Sequence, residues 1–392
     1  MSPPRVLHIG KYFPPYRGGI ENFSGELLSA LTRLGVEVGA LIHRLGRRGG
    51  IEYSHVPGAD RGFPIYACPT YGQWMYAPVA PAFRRWFGLA LREFRPHLLH
   101  LHLPNTSAFW ALTLARARSL PWVLHWHADV AAAMPEDRLF SLLYQLYRWP
   151  EQRLLQRARA VIATSPTYLD SSPTLTPWRD KCAVIPLGLP AIPEVPATGA
   201  DQEWAEAIWP NRDCRVFCVG RMTYYKGQEI LLRALQGTRG LQAVLVGEGE
   251  RLERLKTLTR ELRLESRVSF PGAVSAGRLQ ALMEHCDLLC LPSIDRSEAF
   301  GLVLLEAMRA GKPVIASRVP GSGMGWVVDD GVTGRLVPPG DSEALRLGLE
   351  QLAAEPIATR EMGRRGAQAF AARFRIEVVA EQVRRLYEKI SD

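Results

Sequence analysis

VLHIGKYFPPYRGGIENFSGELLSALTRL, residues 6–34, reads as a short apolar strand ending at Gly10, a loop rich in proline and glycine, and a helix over Glu21–Leu34. A strand that feeds a helix through such a loop is half of a βαβ unit, and the same grammar recurs outward along the chain. In the first half the apolar runs are 6–10, 36–43, 97–103, 122–127, 160–165 and 182–187, with helical stretches Pro81–Phe94 and Arg138–Arg157 among the connections. The Pro-, Gly- and Ala-rich passage LPAIPEVPATGA (189–200) then interrupts the pattern. A second series follows at 215–220, 243–247, 267–270, 287–293, 313–317 and 334–338, with helices over Gln228–Leu235, Glu250–Leu262 and Gly301–Ala310. Two Rossmann-like α/β domains with parallel sheets are therefore predicted, over 1–188 and 189–374. The final pattern, 375–392, is expected to cross back onto the first domain.

Composition supports this division. A chain of 392 residues exceeds what one core usually serves. Hydrophobic residues make up 47% and charged residues 22%, with no apolar run of membrane-spanning length. The apolar stretch after Arg5 is too short for a secretory leader, so a cytoplasmic location is expected. The six cysteines, Cys68, Cys182, Cys214, Cys218, Cys286 and Cys290, fit neither a zinc spacing nor a disulfide framework and are expected to be free thiols. Residues 1–190 hold 21 Lys and Arg against 12 Asp and Glu, while residues 191–392 hold 27 of each, so the net charge of +9 lies wholly in the first half. That field suits polyanions or an anionic membrane surface. Nucleic acid is not expected, because no recognised nucleic-acid motif accompanies the charge.

Three segments carry chemistry. The loop Lys11–Glu21 holds the pair Gly18 and Gly19 before a helix N-terminus, a phosphate cradle or simply a flexible βα loop. Arg221 and Lys226, in VGRMTYYKG after a strand, offer a planar fork and a point charge suited to a diphosphate; the plain alternative is two solvated cations. In RSEAFGLVLLEAM (296–308), Glu298 and Glu306 are eight residues apart, about two helical turns, which would place both carboxylates on one side if Glu298 lies at the loop–helix junction. Carboxylates suit vicinal sugar hydroxyls because they only accept. Eight of nine histidines precede residue 190, five of them as His97, His100, His102, His125 and His127. A metal site there is conceivable, but packing and backbone hydrogen bonds explain His100 and His102 in an apolar strand. The helix at 81–96 is either a packed core helix or, with Trp86, Phe87 and its arginines, a membrane-surface helix.

With these segments in order, joined by HWHADV, IPLG, LVGEGE, VSFPGAV and DGVTGRLVPPGD, the chain resembles a family-4 retaining glycosyltransferase of the GT-B fold, similar to bacterial surface-polysaccharide mannosyltransferases. The resemblance implies that the two domains face a central cleft. It implies catalytic roles for His127, Glu298, Arg221 and Lys226. For donor binding it implies Gly18, Gly19, Gly247, Ala299, Phe300, Gly301, Leu302 and Glu306 beside Arg221, Lys226 and Glu298, with Glu306 on the ribose. For the acceptor it implies Glu21 and Asp129. The partners implied are a nucleoside-diphosphate sugar, GDP-mannose-like first and a UDP-sugar second, and a saccharide or lipid-linked saccharide acceptor, with peripheral membrane association in view. No cofactor is expected and no metal, since no D-x-D motif is present. A soluble acceptor, or a non-catalytic protein that binds sugar nucleotides, is the alternative.

Overall fold

The computed structural model describes residues 4–16, 18–74, 77–130, 138–209 and 213–391, the side chains of 138–143 excepted, so Arg17 of the first loop lies outside the described residues. The chain forms two compact units, Met1–Gly188 with Ile376–Asp392, and Leu189–Arg375.

The first unit is built on an eight-stranded sheet. Its strands are β1 (Arg5–Ile9), β2 (Glu37–Leu45), β3 (Gly50–Ser54) and β4 (Phe63–Thr70), then β7 (Leu98–Leu103), β8 (Trp122–Trp126), β9 (Ala160–Ala163) and β10 (Cys182–Val184); β5 (Gln73–Trp74) and β6 (Ala77–Pro78) form a separate small hairpin. The order is β10-β9-β8-β7-β1-β2-β4-β3, parallel throughout except for β3 against β4. Strands β7, β8 and β9 are buried at every position, as strands covered on both faces must be, which is why they read as apolar runs interrupted only by histidine. β3 and β4 are absent from the sequence reading. Pro64 and Pro69 sit near the two ends of β4, where a missing N–H costs the ladder least, yet they make the segment look like loop.

The helix Phe83–Glu93 buries Phe83, Phe87, Ala90 and Leu91, with the Phe83 ring stacked on His43 at 4.5 Å. Its aromatic stripe is core, which replaces the membrane-surface alternative. The last helix, Ile376–Ser391, buries Ile376, Val379, Ala380, Val383 and Tyr387, spaced at helical intervals, and it belongs to the first unit.

The second unit carries β11 (Cys214–Val219), β12 (Leu241–Val246), β13 (Val268–Gly272), β14 (Leu288–Leu291), β15 (Val314–Ser317) and β16 (Gly334–Val337). All pair in parallel, in the order β13-β12-β11-β14-β15-β16. This is the doubly wound arrangement, in which the chain winds one way from β11 and the other way from β14. The six cysteines carry free thiols; Cys68, Cys218, Cys286 and Cys290 are buried, and burial pushes all of their pKa values up. No helix among the described residues is long and apolar enough to cross a membrane.

At the ends of β11 and β12 two backbones touch. Gly247 has φ 140°, and a Cβ there would sit 2.0 Å from the Gly220 carbonyl oxygen. Backbone cannot swing aside as a side chain can, so Gly247→Ala must strain both the dihedral and the packing. We expect a loss of about 2 kcal/mol or more, a fall in Tm of roughly 4–8 °C, in thermal unfolding of the full chain. An unchanged Tm would show that this junction is not rigid.

Candidate functional site

In open α/β sheets the carboxyl ends of the two strands flanking the switch point splay apart and leave a crevice. In the second unit those strands are β11 and β14. The loop after β11 carries Arg221 and Lys226, and the loop after β14 carries Ser293 to Gly301. Lys226 Nζ donates to Glu298 Oε2 at 2.5 Å, joining the two loops, with the side chains only 15% and 11% exposed. Ser293 Oγ donates to the same carboxylate oxygen at 3.3 Å, and Ser322 Oγ donates to the Glu298 carbonyl at 2.5 Å. Burial works to lower the Lys226 pKa, but the Glu298 carboxylate, Tyr225 and Cys218 outweigh it and hold it above the usual lysine value. An ammonium has three donors, so one pointing at Glu298 leaves others for a second anion.

The helix in this segment begins only at Leu302 (Leu302–Arg309), with Gly301 as its N-cap at φ 82°. Glu298 therefore precedes the helix, held in a turn by Glu298 N–H to the Asp295 carbonyl at 3.3 Å and by Ser297 N–H to Asp295 Oδ1 at 2.7 Å. The two-turn argument for aligning Glu298 with Glu306 does not hold; Lys226, whose charge acts on both, is what relates them. Burial raises the Glu306 carboxyl pKa, opposed by Arg309 and Lys226. The Ala299 carbonyl accepts from Gly323 N–H at 2.7 Å, and Phe300 is buried edge-on to Phe374. Arg221 lies on the surface, 3.8 Å from Glu250, with its side chain 58% exposed.

In the first unit the switch point lies between β1 and β7. Gly18 caps the helix Gly19–Arg33 in extended conformation, and the Glu21 side chain folds back over it, so that a Cβ on Gly18 would meet Glu21 Oε2 at 2.1 Å. The Glu21 carboxylate takes a hydrogen bond from its own N–H, so the positive end of this helix already faces an acid. Burial raises the Glu21 pKa and lowers that of Lys11, each opposed by the charge of the other. His43, which the sequence did not single out, is fixed beside them. Its Nδ1–H donates to the Lys11 carbonyl, its Nε2 meets Ser107 Oγ at 2.9 Å, and burial brings its pKa down to about 4.

His127 follows β8 and is buried, its Nε2 3.0 Å from His102 Nδ1 and its Nδ1 without a partner among the described residues. His100 and His102 hydrogen-bond through their rings to other side chains, where backbone partners were expected. His97 stands apart, at the surface with Arg5. Asp129 acts as a brace: its Oδ1 accepts from Trp126 Nε1 and Ser172 Oγ, both at 2.8 Å, and its N–H donates to the Tyr168 hydroxyl at 2.6 Å. Glu151, on the helix Arg138–Arg157, is buried beside it and was not foreseen, because nothing in a helical run marks one acid as inward-facing.

Residues 18–188 match the family model described as glycosyl transferase 4-like domain, and residues 202–369 match glycosyl transferases group 1. The D-rhamnosyltransferase WbpZ of Pseudomonas aeruginosa is 37% identical over 247 residues, 62% of this chain and 61% of that protein, so the match spans less than two thirds of that relative's length. The O-antigen chain mannosyltransferase C of Escherichia coli is 28% identical over 391 residues, 98% of each chain. Among solved structures, sucrose-phosphate synthase from Thermosynechococcus elongatus matches with a TM-score of 0.80 and 24% identity, covering 99% of both chains, a likeness of fold.

Burial and the nearby Asp129 charge push the Glu151 carboxyl up to about 8, with Arg148 opposing. From its ordinary value near 4.5 up to about 8, the unfolded chain ionises this group while the folded chain keeps it neutral. Glu151 therefore costs stability progressively as pH rises through that window, and no further above it. Glu151→Gln removes this cost. Its stability advantage over wild type, read from Tm across pH, should grow between pH 5 and pH 8, to on the order of a few kcal/mol, and then level off. A difference independent of pH would overturn the assignment.

Proposed function

Because this chain belongs to the group 1 and 4-like glycosyltransferases, we propose that it moves a hexosyl group from a nucleoside-diphosphate sugar to a saccharide acceptor in surface polysaccharide synthesis, with retained configuration. The observation that carries this reading is the Lys226–Glu298 pair spanning the switch point of the second unit. A diphosphate leaving group gains negative charge as its bond to the sugar breaks. Lys226 has donors to spare for it, and Arg221, one residue past Gly220, can fork a second oxygen from the rim. The carboxylate of Glu298 sits where a sugar next to that diphosphate would present hydroxyls and developing positive charge. Glu306, a helix turn further on, takes the ribose diol. The backbone from Ala299 to Leu302 and the tight turn at Gly247 line the phosphate path; in the first unit Gly18, Gly19, Glu21, His127 and Asp129 are the residues this reading assigns to donor and acceptor.

The donor fits a GDP-mannose-like sugar nucleotide first, in line with the mannosyl and rhamnosyl names of the relatives, and a UDP-sugar second. A lipid-linked acceptor is favoured by a groove in the first unit of about 1120 Å3, lined by Val79, Phe109, Trp110 and Trp149 and rimmed by Arg153 and Arg157. Apolar and aromatic walls suit a lipid chain, and arginines suit its diphosphate or an anionic bilayer. Transfer proceeds without a metal ion, protein cations taking the role of Mg2+.

Lys226→Ala and Arg221→Ala should each lower kcat/KM by tens to thousands of fold, roughly 2–4 kcal/mol, with GDP-mannose and with UDP-sugars assayed in parallel. Values within threefold of wild type for both would remove the donor site from this crevice. Activity should persist in EDTA; complete loss restored by Mn2+ or Mg2+ would show that a metal holds the diphosphate.

A further inference from the structure

Five histidines occupy the middle of the first unit, on adjacent strands: His8 on β1, His100 and His102 on β7, His125 on β8 and His127 just beyond it. All are buried. Two triads, His8 with His100 and His102, and His102 with His125 and His127, bring their ring nitrogens within 4.8 Å of one another, close enough to suggest a metal. The contacts argue otherwise. In each triad two ring nitrogens face one another at a hydrogen-bond separation, His102 Nδ1 and His127 Nε2 at 3.0 Å and His102 Nε2 and His8 Nδ1 at 3.1 Å, so a shared proton engages the lone pairs that an ion would need.

What the rings do form is a single file. His127 Nε2 meets His102 Nδ1 at 3.0 Å, His102 Nε2 meets His8 Nδ1 at 3.1 Å, and His8 Nε2 meets the Tyr387 hydroxyl at 3.3 Å. The same hydroxyl meets His100 Nδ1, and His100 Nε2 meets His125 Nδ1 at 3.2 Å. The ends are open: His127 Nδ1 and His125 Nε2 are buried without partners among the described residues. Burial lowers the pKa of all five histidines, His102 to about 3, and neighbouring rings reinforce it for the other four, so each ring is neutral and holds one proton.

Each neutral ring can donate once and accept once, and so can the tyrosine hydroxyl. Every contact in the file needs one donor and one acceptor. The Tyr387 oxygen could accept from both sides, but its own proton would then be left buried with no acceptor in the file; with that proton used, the donors all point the same way and two arrangements remain. In one, all five rings carry the proton on Nε2, Tyr387 donates to His100, and His127 shows a bare lone pair at Nδ1. In the other, all five carry it on Nδ1, Tyr387 donates to His8, and His127 shows an N–H. Passing from the first to the second moves each internal proton one place along the file, takes up one proton at His127 Nδ1 and releases one from His125 Nε2, so the total is unchanged while both ends exchange a proton with solvent.

We propose that Tyr387, on the last helix of the chain, together with His8 and His102, sets whether His127 presents a hydrogen-bond donor or an acceptor. Tyr387 is the joint of the file, because its hydroxyl proton can rotate between His8 and His100 without leaving its oxygen. These are positioning residues that act through His127. The consequence for turnover rests on the proposed role of His127 beside the reacting sugar, whereas the coupling of the rings does not.

Imidazole 15N spectra of the full chain at neutral pH test this directly, because protonated and bare ring nitrogens resonate far apart. All five rings should show the same tautomer. A mixed set in the wild-type protein would overturn the proposal, whatever any variant does. Tyr387→Phe cuts the file into two pieces that no longer instruct each other, so His127 should become a mixture of tautomers. Phe23→Leu, which alters a ring edge-on to His125 and His127 without touching a hydrogen bond, should leave the tautomer unchanged. If Phe23→Leu disturbs the tautomer as much as Tyr387→Phe, the file merely reports packing and the proposal falls. In transfer assays Tyr387→Phe should lower kcat about three- to tenfold with donor KM little changed. Coupled tautomers with unaltered kcat in both Tyr387→Phe and His127→Ala would uphold the file and remove His127 from the reaction. A lowered kcat with one intact wild-type-like tautomer would overturn the inference instead.

Discussion

A parallel sheet must return each strand to its starting edge by a crossover, and the crossovers cover both of its faces. That constraint leaves the strand ends as the only places where a ligand can reach the sheet. In the second unit the winding reverses between β11 and β14, and the contact that spans the resulting gap is Lys226 to Glu298. Neither group is cheap to place there. Taking one away strands the other in a poorly hydrated site, a change that costs about 3–5 kcal/mol when such a pair is fully buried. The ion pair thus holds the crevice in shape while keeping both signs of charge ready at its floor.

Much of this was legible in the sequence because fully covered strands need few polar residues: β14 is an unbroken apolar run and β7 is broken only by His100 and His102, and their ends could be placed to within a residue or two. β4 was not legible, since Pro64 and Pro69 mark it as loop and only its pairing with β2 and β3 makes it a strand. In the site, residue types and rough positions could be read, and partners could not. Lys226 and Glu298 are 72 residues apart, and no spacing rule links them. The spacing of Glu298 and Glu306 suggested a helical relation that Gly301 breaks by turning left-handed between them. Glu21 and Asp129 could be singled out through the family resemblance, but not that one curls over its own helix start and the other braces Trp126 and Ser172.

The histidines show the same limit more sharply. As a pattern, His100 and His102 in an apolar strand look like residues to be packed. Their ordering into one file needs His8 from β1, which is 94 residues from His102, and Tyr387, which is 287 residues from His100. Burial forces neutrality, neutrality limits each ring to one proton, and that limit turns a set of separate contacts into one collective arrangement.

The helix Ile376–Ser391 has a consequence for how the protein is made. It closes the first unit, filling one side of its core with Val379, Val383 and Tyr387, yet it is translated after the entire second unit. A nascent chain therefore has all the strands of the first sheet long before it has the helix that covers them, while the second unit is contiguous and can complete itself as it emerges. Until the last turns leave the ribosome, the histidine file lacks its tyrosine and the apolar surface meant for that helix stays open to water or to chaperones. The order of completion is thus the reverse of the order of synthesis: the unit begun first is finished last.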